Sequence, residues 1–149
     1  MTGDAQPTPP TTESLVTSTT MLLIAAGRVA QRRLEEALRG RGITLRHVGA
    51  LGHVARDPDL SYSDLARRAG VTVQSMHSTI ATLVDLDAIA VETPEPGRPA
   101  RLRLTDRGRE LLRTAGTIAH NLDTTLPLGE LDDRALRAAL LQIARPPGP

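Results

Sequence analysis

Residues 61–105 constrain the fold more than any other stretch, because two short amphipathic segments meet there at a tight turn and two alternating segments follow around a Pro/Gly-rich tip. Leu65 and Ala69 lie on the apolar stripe of the first segment. Gly70 supplies a left-handed residue that ends this helix, and Thr72 can cap the next one. The order helix, turn, helix, strand, loop, strand predicts a winged helix-turn-helix, a mainly α fold with a small β-wing.

The second helix of this pair has a polar side suited to a DNA groove. Met76, Ile80 and Leu83 recur at helical spacing and form its buried side. Short hydrogen-bonding side chains occupy the other side, and such a helix can enter a major groove and contact base edges. Any solvated helix also has a polar face, so the helix alone leaves its role open. The candidates for base contacts are Thr72, Gln74, Ser75, His77 and Ser78.

Positive charge is concentrated around the wing. Residues 94–113 carry six arginines and three carboxylates, a net charge of +3, whereas the whole chain of 149 residues has a net charge of +1. An arginine on a β-loop can follow a phosphate backbone or enter a minor groove, although Arg-rich segments are also common on solvated surfaces. The wing candidates are Arg98 and Arg101, and the candidate phosphate clamps outside the wing are Arg67, Arg68 and Arg46.

Taken in order, these residues resemble the MarR family of bacterial transcription regulators. The resemblance rests on the segment Leu65–Val71, on Leu83, on Arg98 and on the run Leu104–Arg109, and it covers about residues 15–144. It implies a protein that binds double-stranded DNA and dimerises through its N- and C-terminal helices. Members of the family often bind a small anionic or phenolic effector between those helices and the winged region, so the resemblance implies a similar effector site here.

The chain departs from the family pattern at several positions. Pro96 stands where an acidic residue usually precedes the wing arginine by two positions. Asp87 replaces the glycine that usually follows the recognition helix, and aspartate also tolerates the left-handed region. Ser78, Ala90 and Val91 occupy positions that are often basic. These departures leave the expected fold intact and bear on DNA affinity and wing geometry.

Long amphipathic segments flank the winged region. Their periodicity predicts a helix from residues 12–14 to 39, another over 106–125 and a last one from 131–133 to 143. The chain therefore divides into a disordered tail (1–13), dimerisation helices (14–42 and 105–145), a DNA-binding winged region (43–104) and a frayed end (146–149).

The flanking helices also indicate the oligomeric state. Their apolar faces are too wide to be covered by a winged region of about 60 residues, so we expect a second copy of the chain to bury them. A two-fold dimer would place two recognition helices about 34 Å apart on a pseudo-palindromic site. A monomer with an intramolecular helix bundle is the alternative.

Four polar residues on otherwise apolar helices are candidates for binding an effector. They are Arg28, Arg46, His47 and His120. Each has an ordinary alternative, because an arginine can be solvated and a histidine can be satisfied inside an interface. An effector would act only by binding one spacing of the two recognition helices better than the other.

Composition excludes several other functions. The absence of cysteine removes disulfides, thiolate metal sites and cysteine-based peroxide sensing, and a single aromatic residue, Tyr62, argues against binding of single strands by stacking. His47 and His53 are six positions apart, not the four of a helical metal pair. No nucleophile elbow or phosphate loop is present, so we expect neither an enzyme nor a cofactor.

No apolar run approaches about 20 residues and no signal peptide begins the chain, which predicts a cytoplasmic protein without a membrane partner.

We therefore expect a homodimeric, sequence-specific transcription regulator, and a repressor more than an activator. The alternative is a dimeric winged-helix module that binds a ligand or a protein and does not bind DNA specifically. This alternative is suggested by the charge of residues 72–90, which contain Asp85 and Asp87 but neither arginine nor lysine.

Overall fold

The computed structural model describes residues 15–92, 100–129 and 131–145. Its helices and strands follow the order predicted for a winged helix-turn-helix with flanking helices. In chain order they are α1 (Thr19–Arg39), α2 (Leu45–Arg56), α3 (Tyr62–Ala69), α4 (Val73–Asp85), β1 (Ile89–Glu92), β2 (Arg101–Leu104), α5 (Asp106–Asp123) and α6 (Asp133–Ile143). The strands pair antiparallel, from Ile89 opposite Leu104 to Glu92 opposite Arg101.

The helix ends form where local side-chain chemistry predicts them. Four hydroxyls accept a hydrogen bond from the backbone N–H three residues later, which satisfies a donor that the first helical turn leaves free. These N-cap residues are Thr44, Ser61, Thr72 and Thr105. Gly70 ends α3 in the left-handed region with φ of 66°, and Asp87 adopts φ of 53° after α4. Both left-handed positions were expected from the sequence.

The core is centred on the winged region and extends onto the end of α1 and the first half of α5. Leu51 of α2, Leu65 of α3 and Ile80 of α4 are at most 1% exposed and belong to one hydrophobic cluster. Leu102 of β2 and Leu111 of α5 complete it, so the wing and the start of α5 are packed onto the helix-turn-helix. This packing fixes α4 while leaving its other side open.

The first long helix, predicted to be continuous up to residue 39, is interrupted at Thr17 and Ser18. The predicted start, residues 12–14, lies outside the described residues. Leu15 and Val16 are helical, but Ser18 is non-helical with ψ of 130°, so α1 begins after this break at Thr19. Short hydroxyl side chains favour caps and turns over helix interiors, and Thr17 and Ser18 stand next to each other here. The helix after the wing ends at Asp123, two residues before its predicted end.

The outer helices leave large apolar side chains exposed. Leu22 and Ile24 of α1 are 55% and 44% exposed, and Leu140 and Ile143 of α6 are 41% and 62% exposed. Leu38 is the one residue of α1 that is fully buried, while α6 buries none. Among the described helices, none is long and apolar enough to cross a membrane.

Candidate DNA-binding surface

The recognition helix α4 divides into a buried and an open side. Met76, Thr79, Ile80 and Leu83 are buried against the core. The predicted base-contacting residues lie on the other side, and all of them are exposed except Ser75, which is half-buried. The Ser75 backbone N–H donates to the Thr72 hydroxyl at 3.1 Å, which orders the first turn of the helix. The structure thus brings these candidates together on one surface.

Arg46 joins α2 to the recognition helix. Its Nη1 donates to the hydroxyl of Ser75 over 2.8 Å, although the two residues are 29 positions apart. Arg46 is exposed, so its guanidinium lies beside the first turn of α4 with donors left for other groups. This contact places one predicted phosphate clamp next to a predicted base-reading residue.

Three other candidate arginines are held by carboxylates. Arg67 pairs with Asp64 at 2.6 Å, Arg68 pairs with Asp57 at 3.0 Å, and the Arg101 Nε lies 3.9 Å from an Asp59 oxygen. The sequence reasoning missed these partners, and the only signal for two of them was the pair of aspartates around Pro58. All three ion pairs are exposed and therefore weak, so a phosphate can replace the carboxylate.

The tip of the wing lies outside the described residues. These undescribed residues, 93–99, include Arg98, the arginine expected to contact DNA from the loop, and Pro96, the departure from the family pattern. At the described base of the wing, the Arg103 Nε donates to a Glu92 carboxylate oxygen across the two strands at 3.3 Å. The role of Arg98 therefore remains a prediction from the sequence.

The ring of Tyr62 stacks on His77. The ring centroids are 4.2 Å apart and the ring planes differ by 11°. Tyr62 is the first residue of α3 and is half-buried, and its burial raises the pKa of the phenol. The sequence reasoning named His77 but missed this contact, because a stack between two helices cannot be read from the spacing within either one.

A cavity of about 390 Å³ lies between α1, α2 and the recognition helix. Among its lining residues are Glu35, Arg46, His47, Ser78 and Thr82. It therefore brings two of the candidate effector-binding residues together with one candidate for base contact. Arg28 and His120 do not line this cavity.

His47 is held by the start of its own helix. Its Nδ1 accepts from the backbone N–H of Thr44 at 3.2 Å, and its own N–H donates back to the Thr44 hydroxyl, which forms a reciprocal capping box. Burial, with Arg46 as a second cause, lowers the pKa of His47. The neutral ring therefore uses Nδ1 as an acceptor and keeps Nε2 for a ligand.

The recognition segment is fastened directly to α5. The Thr105 hydroxyl donates to the carbonyl of Asp87 at 2.6 Å and accepts from the Gly108 N–H at 3.0 Å. Gly108 is buried, and a side chain there would overlap the carbonyl oxygen of Ala88. The turn that follows α4 and the start of α5 are thus in direct contact.

Metal ligands are not clustered in the part of the chain described. No group of three or more His, Asp or Glu side chains there is arranged to hold an ion.

Comparison with known proteins identifies related transcription regulators. The MarR family matches residues 41–99. The HTH-type transcriptional repressor Rv2887 of Mycobacterium tuberculosis is 34% identical over 103 residues, which cover 68% of this chain and 74% of the repressor.

Two crystal structures of the M. tuberculosis MarR family protein Rv2887 have a similar fold. The complex with DNA has a TM-score of 0.73 and 29% identity, and the match covers 87% of this chain and 99% of that one. The complex with salicylic acid has a TM-score of 0.66 and 30% identity, with 85% and 94% covered.

Proposed function

This chain belongs to the MarR family, a family of non-enzymatic transcription regulators, and from that membership we propose that it is a homodimeric, sequence-specific repressor acting in the bacterial cytoplasm. Each protomer presents the first turns of α4 to the major groove of a pseudo-palindromic site. The observation that carries the proposal is the division of α4 into a buried apolar side and an open side of short, uncharged hydrogen-bonding groups. The residues proposed to contact bases are Thr72, Gln74, Ser75, His77 and Ser78.

Arginines around this surface are proposed to bind the phosphates. Arg46 is the central one, because its described partner is the neutral hydroxyl of Ser75 and not a carboxylate. Arg67, Arg68 and Arg101 would exchange their exposed carboxylate partners for phosphate oxygens. Arg98 is proposed, from the sequence alone, to reach the DNA from the wing.

The exposed apolar faces of α1 and α6 support the dimer. Side chains such as Leu22 and Leu140 would bury apolar area against the same helices of a second copy. The domain division follows from this proposal, with residues 14–42 and 105–145 forming the dimer and 43–104 reading DNA.

The test is a salt titration of binding to the intergenic DNA beside the gene for this protein, with a random duplex as the control. We expect a preference of about 10³ or more for the intergenic duplex and a steep fall of affinity with salt. Equal, weak binding to both duplexes would contradict the proposal and favour a winged-helix module that binds a ligand or a protein.

Single substitutions then test the phosphate clamps. Arg46→Ala and Arg98→Ala should each weaken binding and lower the logarithmic salt slope by about 0.9 for each phosphate that the arginine neutralises. Arg56→Ala is the matched control, because Arg56 is exposed at the opposite end of α2 and donates to the carbonyl of Gly52. An unchanged slope in Arg46→Ala would remove Arg46 from the proposal.

We further propose that a small anionic or phenolic effector binds in the cavity beside α4. A volume of about 390 Å³ suits a small ligand, Arg46 offers a cation, and His47 offers Nε2. A ligand held by Arg46 would compete with its bond to Ser75, so it would favour a different arrangement of the recognition helix. Salicylate, which is bound in one structure of the similar Rv2887, has the required carboxylate and phenol.

Calorimetry with salicylate tests this site. Arg46→Ala should reduce salicylate affinity about tenfold, as expected for the removal of a charge-assisted hydrogen bond. Arg28→Ala, on the exposed surface of α1, serves as the control, and benzyl alcohol tests the need for the anion. A reduction confined to Arg28→Ala or to His120→Ala would move the effector site away from the cavity.

A further inference from the structure

Tyr62 and His77 form a stacked pair at the junction of the two helices of the helix-turn-helix. The ring centroids are 4.2 Å apart and the planes are within 11° of parallel. We infer that Tyr62 is a positioning residue, which sets how the imidazole of His77 faces the DNA groove and so determines the base that His77 prefers. This inference rests on the proposed function of α4.

The tyrosine side of the pair is fixed. Tyr62 packs against the hydrophobic core as the first residue of α3. Ser61 caps α3 by accepting from the Asp64 N–H at 3.1 Å, and its hydroxyl donates to the Asp64 carboxylate at 2.7 Å. Leu65, one turn further, is fully buried. The phenol ring is therefore a rigid surface against which another ring can be held.

The histidine side of the pair is open. His77 is exposed, and it lies one helical turn after Gln74 on the polar side of α4. An exposed histidine without a ring partner exchanges between staggered rotamers. Stacking on Tyr62 selects the rotamers that keep the two rings parallel, so one edge of the imidazole is presented in a defined direction.

The chemistry of that edge indicates the partner. An imidazole ring carries one N–H donor and one acceptor nitrogen when neutral. In the major groove, the N7 and O6 atoms of guanine, the N7 of adenine and the O4 of thymine accept such a donor, whereas the corresponding edge of cytosine offers only a donor. An imidazole held with its N–H towards the groove thus favours guanine, adenine or thymine over cytosine, and its order before binding lowers the entropic cost of the contact.

No other aromatic side chain can take the place of Tyr62. The chain contains one tyrosine and neither phenylalanine nor tryptophan. Replacing this residue therefore removes ring stacking on His77 without a second aromatic ring to compensate, which makes the contact suitable for a double-mutant cycle.

The experiment measures the affinities of Tyr62→Leu, Tyr62→Phe, His77→Ala and Tyr62→Leu/His77→Ala for the preferred intergenic duplex. Variants of that duplex with each base pair exchanged give the base preference. Tyr62→Leu should lower the preference for the native duplex about 3- to 10-fold, and the reduction should fall on the same base pair that His77→Ala affects. Tyr62→Phe keeps the ring and should bind within about twofold of the wild type.

The cycle separates positioning from general stability. In the His77→Ala background, Tyr62→Leu should have no further effect on base preference. Equal, independent reductions from the two substitutions would overturn the inference, as would a base preference unchanged by Tyr62→Leu. Ser63→Ala, at the exposed neighbour of Tyr62, is the control for changes to the start of α3. If Tyr62→Leu does not fold, Tyr62→Met provides a second ring-free variant with a flexible side chain.

Proton NMR of the free protein tests the stack without DNA. The imidazole protons of His77 should show ring-current shifts that persist in Tyr62→Phe and disappear in Tyr62→Leu. Absence of these shifts in the wild type would overturn the inference while leaving the proposed function intact. A wild type that does not distinguish the intergenic from the random duplex would instead reject the proposed function, and the role of Tyr62 with it.

Discussion

His47 combines a local structural role with a place beside the cavity. Its Nδ1 closes the capping box with Thr44, and its ring lines the cavity that also contains Arg46. Because burial and the positive charge of Arg46 disfavour the imidazolium, the pKa of His47 is lower in the folded chain than its usual value of 6.5. Folding is therefore linked to the neutral form of this side chain.

This linkage predicts a loss of stability in mild acid. Below pH 6.5 the unfolded chain binds a proton at His47 before the folded chain does, so the free energy of unfolding should fall as the pH drops from 6.5 towards the folded pKa. Well above pH 6.5 both states are neutral at this residue and its contribution is constant. In His47→Gln, which keeps an acceptor in the capping box, denaturant titrations at several pH values should show a smaller fall than in the wild type.

His53 is the necessary control for that measurement. Burial lowers its pKa as well, with Arg56 and Arg68 as lesser causes. His53→Gln should remove a second part of the acid sensitivity. Identical pH profiles for the wild type and His47→Gln would show that His47 titrates alike in the folded and unfolded chains.

Gly108 gives a second prediction at the residue scale. Gly108→Ala should lower the free energy of unfolding by about 1–3 kcal/mol, because the added methyl group overlaps the carbonyl of Ala88 and forces a shift of packed backbone. Gly116→Ala on the same helix is the matched control, since no described atom there lies within 4 Å of a new methyl group. Alanine favours helix over glycine, so chemical denaturation should show Gly116→Ala to be neutral or stabilising. Equal effects of the two substitutions would contradict the packing argument.

At the scale of the elements, Thr105 connects the recognition segment, which is proposed to bind DNA, to α5, which is proposed to form the dimer. Its hydroxyl caps α5 and bonds to Asp87 just beyond the recognition helix, and its N–H donates to the carbonyl of Ala88 at 3.2 Å. A shift of α5 would therefore be transmitted to the end of α4 through direct bonds. We expect these elements to move as one body when the spacing of the recognition helices changes.

Thr105→Val tests this connection. Removal of the hydroxyl eliminates the helix cap and leaves the Asp87 carbonyl without that donor, so the free energy of unfolding should fall by about 1–2 kcal/mol. Thr105→Ser retains both bonds and should recover most of the stability. Denaturant titration measures the difference, and equal stability of the valine and serine variants would show that the hydroxyl contributes nothing.

The elements themselves were predicted well because their ends depend on residues close in sequence. Thr72 caps α4 by accepting from a residue three positions away, and Gly70 needs only its own backbone freedom. The break before α1 was missed because the apolar periodicity continues past Ser18, where the backbone is not helical. The contact of Arg46 with Ser75 spans 29 positions and was beyond local reasoning, so residues could be assigned to the site but not paired within it.

At the scale of the whole molecule, the distribution of exposed apolar side chains is uneven. Most buried side chains belong to the winged region and the first half of α5, whereas α6 buries no residue and α1 buries only Leu38. The sequence predicted both the wide apolar faces and the need to cover them, since each follows from periodicity and chain length. The relative placement of two copies depends on contacts between chains and does not follow from one sequence.

Leu140→Arg should shift the protein from dimer to monomer in sedimentation experiments. The side chain is 41% exposed on α6, so a charge there costs little in one protomer but opposes burial against a second. Gln142→Arg adds the same charge on a different side of α6, about 200° away around the helix, and should leave the dimer intact. Loss of the preference for the intergenic duplex should accompany dissociation. A monomeric wild type would contradict the two-fold arrangement.

The single tyrosine of this chain is also an intrinsic fluorescent probe of one position in the structure. With no tryptophan or phenylalanine present, ultraviolet fluorescence arises from Tyr62 alone. That phenol lies against His77, at the edge of the proposed groove-reading surface. A change in its emission or in its quenching by solutes when DNA is added would follow the junction of α3 and α4 in real time, without a dye attached to the protein.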